Sequence, residues 1–163
     1  MTRMKKLIFV AGIIVVAVAF ATPASAQINS RVGGMISFTG GDVDETGFGL
    51  VGEFGVAQKI SIAPQIIFYF PDNFDFFEVN LNANYYFFNQ DVFEMYGLGG
   101  LNFSRVGYEV AGENESDTEL GLNLGIGTNF QFGKKFVPFA EFRFTLGGYD
   151  QVALGLGVKF NLN

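Results

Sequence analysis

Apolar and polar residues alternate one by one along most of the chain after residue 30. Successive side chains of a β-strand point to opposite faces, so a sustained period of two predicts strands. The alternation is clearest in Phe76–Phe88, Thr118–Phe132 and Tyr149–Leu162, where Leu, Val, Ile or Phe opposes Asn, Gly or a charged residue. These segments predict strands that have one apolar face and one polar face.

Turn residues divide the chain into eight predicted strands. They are Arg31–Thr39, Gly47–Val56, Lys59–Phe70, Phe76–Phe88, Val92–Val110, Thr118–Phe132, Phe136–Leu146 and Tyr149–Leu162. In the fifth strand, Gly99 and Gly100 interrupt the alternation, and we expect a bulge or kink there. No run of 18 apolar residues follows the N-terminal segment, so a transmembrane helix is not expected in the rest of the chain.

The connections between these strands differ in length and chemistry. The tight ones are Ala57–Gln58, Asn89–Asp91 and Gly133–Lys135, and the longer or more acidic ones are Gly40–Thr46, Pro71–Asp75 and Ala111–Asp117. The seventh, at Gly147–Gly148, is short. Tight turns on one side and longer loops on the other are typical of outer-membrane barrels.

The scarcity of charge indicates which face of the strands meets which environment. Charged residues make up 16% of the chain, whereas a water-exposed surface carries about 25–35%. We therefore expect Asn, Gly, Ser, Gln and Thr to pack inside and the apolar face to meet lipid. Because unpaired backbone groups are costly in hydrocarbon, the strands must close on themselves. The prediction is an all-β fold, an eight-stranded antiparallel up-and-down transmembrane β-barrel.

A soluble barrel with the opposite orientation would show the same period of two, so it remains an alternative. The aromatic residues favour the membrane orientation, because they fall in two bands near the strand ends, as an interfacial girdle requires. One band is Tyr85, Phe87, Phe93, Tyr96, Phe130, Phe132 and Phe136, and the other is Phe38, Phe48, Phe68, Phe70, Phe77, Tyr108 and Tyr149. An aromatic core of a soluble protein would be the other interpretation of these residues.

The first 26 residues have the organisation of a secretory signal peptide. Arg3, Lys5 and Lys6 form a basic start, Leu7–Phe20 is apolar, and Ala24–Ala26 matches a small-residue cleavage site. An uncleaved membrane anchor is the alternative. We expect a signal peptide over residues 1–26 and a barrel domain over residues 27–163.

Composition excludes several classes of function. After removal of the signal, seven basic residues remain against 16 acidic ones, a net charge of −9, which disfavours a nucleic-acid partner because such binding needs basic patches. Cysteine and histidine are absent, so disulfides, thiolate or imidazole metal sites and Ser–His or Cys–His catalytic units are excluded. We expect a protein that is not an enzyme, with no catalytic residue and no cofactor.

Six charged residues fall on the predicted inner face: Arg31, Glu53, Glu78, Glu141, Arg143 and Lys159. Eight strands leave an interior just wide enough for side chains to fill, and charges buried there must pair to offset desolvation. We therefore predict an ion-pair network that fills the lumen. A polar pathway or gated pore through the same residues is the alternative.

The loops contain a separate group of acidic residues, of which Asp42, Asp44 and Glu45 are the most closely spaced. Carboxylate oxygens suit hard cations such as Ca²⁺ or Mg²⁺, so one hypothesis is that these residues bind a divalent cation between the loop and lipopolysaccharide. The remaining spaced ligands of a calcium loop are missing, and a solvated, self-repelling loop is the alternative.

The closing stretch Val152–Asn163 resembles the alternating C-terminal strand of the small outer-membrane β-barrel family that includes the OmpA transmembrane domain, OmpX and the opacity-type proteins. It departs from the family pattern by ending in Asn163 where an aromatic residue is usual. The resemblance, which covers the chain after the signal, implies residence in the bacterial outer membrane, contact with its lipid and lipopolysaccharide, insertion by the barrel-assembly machinery, and a monomer.

Three functions are compatible with these predictions. The first is a structural or surface-interaction barrel whose lumen is filled by polar side chains. The second is a narrow channel or transporter for small solutes, and the third is a soluble periplasmic ligand-binding barrel. Conductance across a bilayer would distinguish the second, and solubility without detergent would distinguish the third.

Overall fold

The computed structural model describes residues 28–71, 75–110, 113–133 and 135–162. The predicted signal peptide, residues 1–26, lies outside the described residues. Within these ranges the chain forms eight strands: β1 (Arg31–Gly41), β2 (Thr46–Ala57), β3 (Ile60–Tyr69), β4 (Asp75–Asn89), β5 (Phe93–Val110), β6 (Glu113–Phe130), β7 (Phe136–Leu146) and β8 (Gln151–Asn161). The described part of the chain contains no helix that is long and apolar enough to cross a membrane.

Each strand pairs with the next one in antiparallel orientation, and the sheet closes on itself. Closure is made by β1 and β8, which pair without interruption from Arg31 opposite Asn161 to Gly41 opposite Gln151. The predicted all-β, up-and-down antiparallel barrel of eight strands is therefore confirmed. A closed sheet has no edge along its wall, so its backbone hydrogen bonds are satisfied within the wall.

The two faces of the strands are sorted as the alternation predicts. On β6, Leu122 is 58% exposed on the outer surface, whereas the next residue, Asn123, is 1% exposed and points inward. The same sorting places Leu124 and Leu156 outside and Asn80 inside. The wall of the barrel thus presents apolar side chains outward and polar side chains to its interior.

The barrel has two unlike ends. The turn end carries the N-terminal residues Ile28–Ser30 and the connections β2–β3, β4–β5 and β6–β7, while the loop end carries the other connections. A buried apolar cluster reaches inward from the loop end and consists of Met35, Val43, Val51, Ile67, Tyr69, Phe76 and Phe139. At the turn end a smaller cluster consists of Ile28, Tyr86, Tyr96 and Leu98.

The bulge expected at Gly99 and Gly100 is wrong. The two glycines pair in regular register with Ala83 and Asn82 of β4, and the register shifts lie elsewhere, between Gly55 and Ala57 of β2 and between residues 86 and 88 of β4. A Cβ at Gly100 would collide with the backbone of β4. Glycine here therefore reflects close packing of neighbouring strands, which a bulge does not require.

The loop expected over Ala111–Asp117 is also wrong for most of its length, because β6 begins at Glu113. Pairing between β5 and β6 continues to Val110 opposite Glu113, whereas β7 pairs with β6 only up to Leu146 opposite Leu122. The two 18-residue strands thus form a hairpin that extends beyond their neighbours. Pairing with β5 outweighs the acidic composition that predicted a loop.

One aromatic residue of the predicted girdle lies inside the barrel. Tyr96 is fully buried, because its side chain points to the inner face of β5. This part of the girdle prediction is therefore wrong. Tyr149 packs partly buried against the loop-end cluster. By contrast, exposed rings such as Phe70 and Phe132 lie on the outer surface near opposite ends of the barrel.

Candidate functional site

The interior of the barrel holds the charged residues and is the candidate functional site. Among the described residues, seven acidic or basic side chains are buried there, each with a relative exposure of 3% or less: Arg31, Glu53, Glu78, Glu94, Glu141, Arg143 and Lys159. They divide into two groups along the barrel. Six of the eight strands, all except β3 and β6, supply one or two of these side chains, because the residues concerned point to the inner face of their strand.

The turn-end cluster consists of Arg31, Glu53, Glu94 and Lys159. Arg31 binds Glu94 in a bidentate manner, with 2.7 Å from Nη1 to Oε2 and 3.1 Å from Nη2 to Oε1. Lys159 Nζ lies 2.8 Å from Glu53 Oε2, which is also 3.6 Å from Arg31 Nη1. Two cations therefore face two carboxylates, and the cluster is electrically neutral.

Neutral side chains complete the hydrogen bonding of this cluster. Ser61 Oγ donates to Glu53 Oε1 at 2.9 Å, and the Tyr86 hydroxyl donates to the same oxygen. Asn129 donates through Nδ2 to Glu94 at 3.0 Å and accepts from Lys159 Nζ at 3.0 Å. Such additional bonds are needed if a buried ion pair is to offset its desolvation.

The central cluster consists of Glu78, Glu141 and Arg143. Arg143 bridges the two carboxylates, with 3.3 Å from Nη2 to Glu78 Oε2 and 3.5 Å from Nη1 to Glu141 Oε1. One cation therefore faces two carboxylates, so this cluster has one negative charge in excess. Amide and hydroxyl donors from neighbouring strands compensate for part of that excess.

Each carboxylate of the central cluster has its own neutral donors. Gln65 Nε2 lies 3.1 and 3.3 Å from the two oxygens of Glu141, and the Tyr96 hydroxyl donates to Glu141 Oε2 at 3.2 Å. The Tyr69 hydroxyl lies 3.4 Å from Glu78 Oε2, and Gln151 Nε2 donates to Glu78. Donors from β3, β5 and β8 thus converge on two carboxylates.

A ladder of asparagines continues the polar network on the inner faces of β4, β5 and β6. Asn123 Nδ2 donates to Asn80 Oδ1 at 2.8 Å and to Asn82 Oδ1 at 2.9 Å. Asn102 Nδ2 also donates to Asn80 Oδ1, and Thr145 Oγ1 donates to Asn123 Oδ1, both at 2.8 Å. The ladder connects four strands without any charge.

Glycine makes room for the large side chains of the lumen. The ring of Tyr96 lies directly over Gly127, where an added Cβ would clash with it. The same ring lies 5.2 Å from that of Tyr86 between centroids, and Lys159 Nζ is 5.3 Å from its centre. The alternation of large and glycine residues thus lets side chains fill a narrow barrel.

The structure brings the six residues predicted to line the lumen into two separate clusters instead of one network. Arg31, Glu53 and Lys159 meet at the turn end, and Glu141 and Arg143 meet with Glu78 in the centre. The sequence did not point to Glu94, which makes two contacts with Arg31. The next residues on the same face of β5, Tyr96 and Leu98, are aromatic or aliphatic, and they hide the polar character of that face. Counting back by twos from Asn102 would have placed Glu94 inward.

The loop carboxylates do not converge. Asp42 Oδ2 accepts the backbone N–H of Asp150 at 3.0 Å, and Asp150 Oδ1 accepts that of Gly147 at 2.7 Å. Among the residues whose positions are described, there is no group of three or more acidic side chains that could hold a metal ion. The divalent-cation hypothesis for Asp42, Asp44 and Glu45 remains a prediction without supporting geometry.

Known proteins that resemble this chain are found by similarity of structure and not by similarity of sequence. No protein-family model matches the chain, and no curated protein matches it. The N-terminal β-barrel domain of Pseudomonas aeruginosa OprF is similar with a TM-score of 0.65 and 19% identity, covering 82% of this chain and 98% of that one.

Two further solved structures are similar to a comparable degree. Neisserial surface protein A gives a TM-score of 0.66 at 15% identity, covering 86% of this chain and all of that one. Ail, the attachment invasion locus protein of Yersinia pestis, gives 0.61 at 19% identity, covering 81% and 95%. The chain therefore has the fold of the small eight-stranded outer-membrane β-barrels.

Proposed function

We propose that the chain is a bacterial outer-membrane barrel with a structural and surface-interaction role, and that it is not an enzyme. One observation carries the proposal: the barrel wall is apolar outside, while the charges within it are buried and paired. A barrel of this kind can contact lipid with its outer surface, while the ion pairs inside it stabilise the folded state. Its loops are then the parts that are free to contact other molecules.

The outer surface supports the membrane assignment. Leu122, Leu124 and Leu156 are all exposed although they lie in the middle of strands, and a water-exposed wall of such residues would associate with itself. The soluble ligand-binding alternative would need these side chains inside. A closed wall also leaves no unpaired backbone in the hydrocarbon.

The filled interior supports a structural role over a channel. Ion pairs such as Arg31–Glu94 would have to break before a hydrated solute could pass, and breaking a buried pair costs about 3–5 kcal/mol. The narrow-channel alternative draws support from the central cluster, whose excess negative charge would favour cations. Conductance measurements distinguish these two possibilities.

The proposed partners follow from the two surfaces. Lipid and lipopolysaccharide contact the wall, and the barrel-assembly machinery inserts the chain after cleavage of the N-terminal signal. We propose a monomer, because the barrel is already closed by β1 and β8. At the loop end, the described residues Asp42, Asp44, Asp75 and Asp150 are acidic. We therefore expect the loop-end surface to favour contacts with cationic groups. A sulfated ligand, such as the heparin analogue bound to Ail, would be repelled by these carboxylates.

Fractionation of cells followed by gel electrophoresis tests the proposal. A closed outer-membrane barrel should appear in the outer-membrane fraction, resist unfolding in dodecyl sulfate until boiled, and then change mobility. Recovery in the soluble fraction without detergent would overturn the membrane assignment. In planar bilayers the purified protein should give no reproducible single-channel steps, and regular steps would favour the channel instead.

A further inference from the structure

Ile28 is an apolar side chain inserted into the turn end of the barrel, although it precedes the first strand. It is 2% exposed and packs with Tyr86, Tyr96 and Leu98. The next two residues return to the surface, since Asn29 is exposed and Ser30 is half-buried. Of the three described residues that precede β1, Ile28 is thus the one that is buried at the mouth of the lumen.

Two contacts fix the segment in this position. The backbone carbonyl of Ile28 packs against Gly55 of β2, where an added Cβ would collide with it. On the other side, the backbone N–H of Leu162 donates to the carbonyl of Ser30 at 2.9 Å. The segment is thus held between β2 and the residue that follows β8.

Ile28 covers residues that hold the turn-end cluster. Tyr86, which belongs to the same apolar cluster as Ile28, donates its hydroxyl to Glu53, and Tyr96 lies beside Lys159. Ion pairs and hydrogen bonds are stronger where water is excluded. An apolar cap at this position therefore protects the charges behind it from solvent.

We propose that Ile28 is the seal that closes the turn end of the lumen against water. The seal comes from the second residue after the predicted cleavage site at Ala26, so the exported chain would carry it at its own N-terminus. Removing the seal admits water and small reagents to Leu98 and to the turn-end cluster behind it. The seal belongs to the folded barrel and does not depend on the membrane in which the barrel resides.

The absence of cysteine from the chain allows a direct test with one introduced thiol. Leu98→Cys places the reporter inside the apolar cluster of the turn end, and the purified, detergent-folded protein is treated with a small, charged methanethiosulfonate reagent. The labelling rate in the Leu98→Cys background is the reference. Mass spectrometry of the same sample gives the N-terminus of the processed chain.

Combining Leu98→Cys with Ile28→Ser should speed labelling at least about tenfold, because truncating a buried isoleucine shifts the opening equilibrium by that factor or more. The matched control is Ile36→Ser, which removes an isoleucine from the outer surface of β1 and should leave the rate unchanged. Equal rates with and without Ile28→Ser, or equal acceleration by Ile36→Ser, would overturn the proposal.

Gly55→Ala provides an independent route, because it displaces the Ile28 backbone without altering the isoleucine itself. It should also accelerate labelling of Leu98→Cys. Each variant is first checked for the heat-dependent mobility change, so that only closed barrels are compared. If Ile28→Ser does not fold, an unchanged rate in Gly55→Ala contradicts the seal by itself.

Discussion

Arg31 and Glu94 lie 63 positions apart in the sequence and form a two-point ion pair inside the barrel, with contacts of 2.7 and 3.1 Å. The pair joins β1 to β5, strands that are not neighbours in the sheet. Since the backbone ladder links only adjacent strands, side-chain contacts of this kind are what connect opposite walls across the lumen. The pair is therefore expected to contribute to the stability of the closed barrel.

Replacement of Glu94 by glutamine should destabilise the barrel strongly. Glu94→Gln leaves the turn-end cluster with two cations and one carboxylate, and breaking a buried pair in this way costs about 3–5 kcal/mol. The free energy of unfolding can be measured by urea titration in lipid vesicles, followed by circular dichroism. Asp91→Asn, in the exposed turn that precedes the strand, is the control and should change it by less than about 0.5 kcal/mol.

The central cluster should respond differently, because it holds one carboxylate too many. Glu141→Gln leaves Arg143 and Glu78 as a balanced pair, so it should cost clearly less than Glu94→Gln in the same titration. Arg143→Gln leaves two buried carboxylates unpaired and should cost more than either. A loss in Glu141→Gln as large as that in Glu94→Gln would show that charge balance does not govern this cluster.

Packing between a glycine and an aromatic ring gives a further prediction. Gly127→Ala would drive a methyl group into the ring of Tyr96, and overpacking of this kind typically costs about 1–3 kcal/mol. Gly97→Ala is the matched control, since a Cβ there meets nothing within 4 Å. Urea titration of both variants measures the difference.

The source of the Gly127→Ala effect can be tested with a second substitution. If the ring is the obstacle, Tyr96→Leu should reduce the cost of Gly127→Ala, and the two changes should be non-additive. Strict additivity in this double-mutant cycle would mean that the glycine is required for another reason, such as the path of the β6 backbone.

The strands and the orientation of their faces could be predicted from the sequence, because both follow from a local rule. Val79 and Asn80 are adjacent in the chain and lie on opposite faces of the wall, as the period of two requires. The same rule assigned all six predicted lumen charges to inward positions. It carried no information about which charge on one strand would meet which charge on another.

The missed features depend on contacts between distant parts of the chain. Glu94 was overlooked because inward neighbours in its strand are aromatic or aliphatic, and its partner Arg31 lies on the opposite wall. The sequence predicts a bulge or kink at Gly99 and Gly100, whereas the backbone of Gly100 packs closely against β4 in regular register. The burial of Ile28 depends on Gly55 and on the apolar residues Tyr86, Tyr96 and Leu98 of distant strands, which no pattern within residues 27–30 could indicate.

Lysine substitutions on the outer surface of β6 test whether the wall meets hydrocarbon. Leu124 lies in the middle of the ladder, opposite Gly99 and Phe144, and Leu120 lies beyond the last β6–β7 pair; both are exposed. In lipid vesicles Leu124→Lys should cost about 2–4 kcal/mol and Leu120→Lys about 0–1 kcal/mol, because the cost of a cation falls from the bilayer centre to its surface. Urea titration measures both. Equal costs at the two depths would mean that this face does not lie in a bilayer, since a surface in water has no such gradient.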